Sequence, residues 1–190
     1  MSVGIGRSVG AFTVLAAICA LTVGTLALAG DAGAVAKGGC ENATAPATQL
    51  STGKLKKAVF CLINAERNAK GRRDLERDRR LAKTAQKHAN KMVATDCLEH
   101  VCGGEPALET RIRNSGYFDG ARRYDYAEDV GCERSAAQMV RNWMGSSLHR
   151  DNILERKFDD IGVGVHHGQV SSRCDPDFVT FAVVFGHRKG

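Results

Sequence analysis

Trp143-Met144-Gly145-Ser146-Ser147-Leu148-His149-Arg150-Asp151-Asn152-Ile153-Leu154, with Ala127-Glu128-Asp129-Val130-Gly131 upstream, is the stretch from which the rest of the chain can be placed. Ala136, Met139, Val140 and Trp143 recur at helical spacing after Ser135, so a helix is predicted from Ser135 to about Met144, with Gly145 ending it. His149 to Leu154 adds a further short helical turn, and Trp143 reads as a core anchor. Downstream, Ile161-Gly162-Val163-Gly164-Val165 and Phe178 to Phe185 are β-branched and aromatic, bordered by glycine, and read as two antiparallel strands. Helices first and strands last fit an α+β layer better than a parallel sheet.

This order of motifs resembles the bacterial members of the CAP family, the relatives of cysteine-rich secretory proteins, venom allergens and pathogenesis-related proteins. The likeness rests on Trp143, the Ser-x-x-His-Arg-x-Asn-Ile-Leu run ending at Leu154, and Phe158-x-Asp-Ile-Gly-Val-Gly-Val165. It extends to Leu62-Ile-Asn-Ala-Glu-Arg67, Glu99-His100, Arg111-x-x-x-x-Gly-Tyr117 and Phe185-Gly186, and so covers about Leu55 to Gly186. The resemblance implies a three-layer α-β-α sandwich, stapled here by disulfides, with residues 53–190 as its single domain.

Working outward, Ser51 or Thr52 is a good N-cap for a first helix reaching about Lys70, with Leu55, Val59, Leu62 and Ile63 as its core face and Gly71 as its stop. Arg72 to Arg80 is charged around Leu75 and reads as a solvated connecting segment, since it lacks the interleaved aromatics of a nucleic-acid patch. A second helix takes Leu81 to about Ala94, with Leu81, Ala85, Ala89 and Met92 inward and His88 at the edge as an ordinary histidine. Pro106 suits the first turn of a third helix through about Asn114. Tyr117 to Arg134 shows no sustained period and reads as a long loop, of a length that tends to be functional or disordered, and it holds Glu128 and Cys132.

A chain of 190 residues supports one globular domain. Arg7 followed by the apolar run Val9 to Ala29 reads as an export leader over residues 1–36, cut after either Ala29 or Ala36, with a retained anchor as the rival reading. Residues 37–52 then read as a linker tied down at Cys40. The leader holds one cation, Arg7, and one anion, Asp31, so removal to Ala36 leaves the net charge of +6 unchanged. That excess attracts anionic polymers and headgroups without naming one. Of seven cysteines, Cys19 lies in the leader; Cys40, Cys61, Cys97, Cys102, Cys132 and Cys174 remain, an even set that suits an oxidising, extracellular location. We expect Cys40–Cys61, Cys97–Cys102 and Cys132–Cys174, although six cysteines allow fifteen pairings and the sequence does not choose among them.

Family members present histidines and acidic residues in a shared cleft. Carried over motif by motif, the resemblance places His100, Glu128 and His149 there, a set that would bind zinc or another divalent cation with one position open to water. Asp129 departs from the family's asparagine after the glutamate, and the helix around Trp143 offers Gln138, Arg141 and Asn142 in place of a second glutamate. The other reading is a polar cluster in which Glu128 orients His149. Ser147 and His149 are two apart and do not face each other on a helix, so no serine nucleophile is evident. Glu128 is the one candidate general base. The expected function is a secreted binding module for a lipid, a cell-wall polymer or an extracellular protein; the alternative is a metal-assisted hydrolase of peptide or phosphodiester bonds in the same cleft.

Overall fold

The computed structural model describes residues 39–190; the leader expectation, including Cys19, lies outside the described residues. The helices are α1 (Thr52–Ala69), α2 (Arg79–Ala94), α3 (Leu108–Arg113), α4 (Ala136–Gly145) and α5 (Ser147–Leu154). The strands are β1 (Glu76–Arg77), β2 (Arg123–Glu133), β3 (Asp160–His166) and β4 (Val179–Lys189). They form one sheet in the order β1-β3-β4-β2, with β1 parallel to β3 and the other pairs antiparallel.

Alternation along β3 and β4 sorts the two cores. Ile161, Val163, Val165, Val183 and Phe185 face α1, α4 and α5. Ala182 and Val184 face α2 and α3. On that second face β3 has only Gly162 and Gly164, and a Cβ built on either would lie 2.1–2.3 Å from the backbone of Leu81, Ala82 or Ala85. The glycines therefore let α2 lie directly on the strand. The result is an α-β-α sandwich, and among the described residues no helix is long and apolar enough to cross a membrane.

Local signals set most boundaries. Ser51 caps α1 by accepting from Lys54 N–H, Asp78 caps α2 from Arg80 and Leu81, and Ser135 caps α4 from Gln138. Gly71 and Gly116 stop their elements at positive φ. Trp143 is buried and donates from Nε1 to Val130 O at 3.1 Å, as befits a core anchor. All three expected disulfides are formed. The segment after Cys40 packs on the body of the fold: Ala47 N–H donates to Arg134 O at 2.7 Å, and Ala47 is fully buried.

Two expectations are corrected. The stretch from Tyr117 to Arg134 is not a loop, because Arg123–Glu133 is an eleven-residue strand paired along its whole length with β4. It is an edge strand with acidic residues on both faces, which hides its alternation. The segment from Arg72 to Arg80 is more than a connector, since Glu76–Arg77 pairs with β3 and Leu75 is buried.

Candidate functional site

Neighbouring residues of a strand point to opposite faces, so β2 sends Glu128 toward α2 and α3 and Asp129 toward α5. Both carboxylates are buried. Glu128 accepts a two-pronged pair from Arg111, Nη1 to Oε2 and Nη2 to Oε1 at 3.0 Å each. Its Oε1 also lies 3.1 Å from His100 Nδ1. Burial pushes its pKa up, but the His100 and Arg111 hydrogen bonds and the charges of His88 and Arg111 outweigh it, and the carboxyl sits below its ordinary value.

His88 belongs to this group, contrary to its expected edge position. It is fully buried, and its Nε2 donates to Glu99 O at 3.0 Å, a carbonyl that can only accept. Its Nδ1 lies 2.7 Å from Glu105 Oε1 but out of line for a hydrogen bond. The sequence did carry the signal, because His88 falls seven residues after Leu81 and four before Met92 on the stripe that faces inward. Arg111 was visible only as part of a motif. Its role follows from α3 pointing it across the sheet at Glu128, where Nη2 also donates to His100 O at 2.7 Å.

His100 stands on the loop closed by Cys97–Cys102 and is half exposed. The hydrogen bond to Glu128 raises its pKa above the usual value, partly offset by burial. His149, on α5, belongs to the opposite layer, and Glu128 does not orient it. Burial first, and the nearby positive charge of His100 second, lower its pKa. The two histidines thus belong to opposite layers of the sheet, and their proton affinities are shifted in opposite directions. Next to them in the chain are Val101 and Leu148, 52% and 77% exposed, the exposed large hydrophobics among the described residues.

As arranged, His100, Glu128 and His149 do not fit a divalent cation. Both oxygens of Glu128 are held by a guanidinium that a metal ion would have to face, and among the described residues no three His, Cys, Asp or Glu side chains converge with metal-holding geometry.

Asp129 is the other anomaly. Its Oδ1 accepts from Asn152 Nδ2 at 2.8 Å, and its Oδ2 has no hydrogen-bond partner among the described residues. Burial drives its pKa up to about 7, against the Asn152 hydrogen bond and the His100 charge. A carboxyl whose folded pKa is raised contributes stability at acid pH and loses it as pH rises through the folded value. Asp129→Asn is therefore expected to stabilise the protein at pH 8 by on the order of 2 kcal/mol, given about 1.4 kcal/mol per pKa unit and partial relaxation. The gain should fade toward pH 5. Urea midpoints across that range decide it; a gain equal at both ends would mean the carboxyl does not titrate in the fold.

The family model for cysteine-rich secretory proteins matches residues 60–185. The chain belongs to the cysteine-rich secretory protein family. Its similarity to Bacillus subtilis (strain 168) YkwD is 28% identity over 121 residues, covering 64% of this chain and 46% of that one, so the chain spans about half the length of this relative. Among solved structures it is similar to an outer surface protein from Borrelia burgdorferi (TM-score 0.59, 23% identity, 74% and 97% of the two chains). It is also similar to an extracellular protein containing an SCP domain from Bacillus anthracis str. Ames (TM-score 0.56, 20% identity, 73% and 44%). These two likenesses concern the fold. Within the cysteine-rich secretory protein fold, this chain sets Asp129 and the Arg111–Glu128 clamp on either face of one edge strand.

Proposed function

We propose that the chain is an exported binding module whose ligand site lies between the Cys97–Cys102 loop and α5, where the family resemblance implies a cleft. The observation that carries this reading is the Arg111 clamp. It occupies the carboxylate that a hydrolase would use as a general base or metal ligand, and leaves the half-exposed His100, bonded through Nδ1 to Glu128, and His149 as the polar groups a ligand would meet. Val101 and Leu148 beside them favour an amphiphilic ligand, a lipid headgroup or a peptide with an apolar flank, over a wholly polar one. Three disulfides support an oxidising, extracellular setting.

Zinc calorimetry on the oxidised protein, beside a folded His100→Ala/His149→Ala variant, tests the reading together with vesicle retention. Expected are no histidine-dependent zinc binding in the micromolar range, and retention on phospholipid vesicles lost in Val101→Ser/Leu148→Ser. Micromolar zinc binding that disappears in the histidine variant, accompanied by peptide or phosphodiester turnover abolished in Glu128→Gln, would overturn it in favour of the hydrolase.

A further inference from the structure

The outer face of α2 carries Lys83, Lys87 and Lys91, one per turn, so their side chains form a row about 12 Å long in steps of about 6 Å. None of the three has a carboxylate partner among the described residues. They line one side of a cavity of about 340 Å³, bordered on the α3 side by Pro106, Asn114 and Ser115. Arg111 and Glu105 also line it; Arg111 Nε, buried, has no hydrogen-bond partner, and Glu105 Oε2 is 3.8 Å away.

The positive charge continues past Ser115. The Tyr117 ring carries the Arg80 and Arg188 guanidinium groups at 5.3 and 5.1 Å from its centroid. Arg80 is neutralised by Asp78, but Arg188 borders a second cavity, beside Asp119, that shares Gly190 with a third lined by Arg122, Arg123 and Lys189. Arg123 stands directly opposite Lys189 in the β2–β4 ladder. Like charges in that position cost stability, so the fold gains nothing from them and an anionic partner does.

We propose that this face is a docking track for a linear polyanion with one phosphodiester per short polyol repeat, the chemistry of poly(glycerol phosphate) wall polymers. The proposal rests on the extracellular reading above but not on the cleft. A row of charges matches a chain better than the plane of a membrane, and its step suits phosphates separated by a three-carbon unit. Single-stranded nucleic acid has a similar spacing, but its binding relies on aromatic platforms, and the lysine cavity has no aromatic lining.

The test is anisotropy of fluorescein-labelled poly(glycerol phosphate) titrated with the full oxidised protein over a salt series. Lys83→Gln/Lys87→Gln/Lys91→Gln is compared with Arg122→Gln/Arg123→Gln/Lys189→Gln and with His100→Ala/His149→Ala. Glutamine keeps helix propensity at exposed positions, and unchanged melting confirms folding. Each cation triple should weaken binding by at least about tenfold and flatten the slope of log K against log salt by about 0.7 for each phosphate no longer neutralised. The histidine variant should bind as the unsubstituted protein does. Absence of binding, affinity unchanged in the lysine triple, or equal affinity for an oligonucleotide or anionic vesicle would overturn the proposal. Loss confined to the histidine variant would move the polymer to the cleft.

Discussion

Gly164→Val is expected to leave the protein unfolded or nearly so at room temperature, and Gly164→Ala to lower its stability by about 3 kcal/mol, the upper part of the range for overpacked cores. A Cβ on Gly164 would meet Ala85 C and O at 2.3 Å and Gln86 N at 2.5 Å; one on Gly162 would meet Ala82 N and Leu81 C at 2.1 Å. These neighbours are helix backbone, which cannot swing aside as a side chain does. The whole of α2 would have to lift from β3, taking Leu81, Ala85, Ala89 and Met92 out of their core. Total stabilities of domains are about 5–15 kcal/mol, so an added isopropyl group there removes much of what is available. Urea unfolding followed by the single tryptophan, Trp143, reads the loss. Gly145→Ala is the control: nothing lies within 4 Å of its Cβ position, it ends α4, and the change should be neutral or stabilising by up to about 1 kcal/mol. If Gly164→Ala unfolds at the same midpoint as the unsubstituted protein, α2 does not rest on the strand as described.

The same strand shows what could be read in advance. Ile161-Gly-Val-Gly-Val165 announced a strand by its β-branched residues, and the glycines mark where a backbone comes close, so β3 and β4 were legible without coordinates. β2 was not, because an edge strand paired on one side tolerates Asp125, Glu128, Asp129 and Glu133 on its two faces, and the alternation of Tyr124, Tyr126 and Val130 is buried among charges. Family motifs supplied His100, Glu128 and His149. They could not show that Glu128 and Asp129 point to opposite layers, so the Glu128–His149 contact of the alternative polar-cluster reading gives way to one with Arg111. The six cysteines were legible as an even, disulfide-forming set, but their pairing was not, because the choice among fifteen connectivities depends on which segments the fold brings together, Cys132 of β2 and Cys174 of the β3–β4 connection above all. Arg67 went unread for a different reason. It is fully buried, with no carboxylate partner among the described residues, and donates instead to the carbonyls of Arg73, Ile153, Glu155 and Phe158; it falls four residues after Ile63 on the inward stripe of Leu55, Val59 and Ile63, where a charged residue reads as the end of the core face and not as part of it.

Arg111→Leu is expected to cost about 3–5 kcal/mol at neutral pH, the range for removing one member of a buried ion pair. The substitution deletes both prongs on Glu128 and the bond to His100 O, and leaves a carboxylate with no exposed side-chain surface facing His100 and His88 alone. In the unsubstituted protein Glu128 titrates below its ordinary value, so its contribution is present above that value and lost as pH falls. In the variant, burial is opposed by less and the folded pKa rises. The contribution then reverses sign, being present in acid and lost as pH increases. The deficit should accordingly be largest near pH 8 and shrink toward pH 4.5. Arg111→Leu/Glu128→Leu should recover most of the loss, since apolar replacement of a whole buried pair is often neutral. A deficit independent of pH and not recovered in the double variant would mean that Arg111 acts through packing alone. The single variant also bears on the chemistry of the cleft. With the guanidinium gone, the Glu128 oxygens beside His100 are available to a cation, so zinc should bind Arg111→Leu more tightly than the unsubstituted protein.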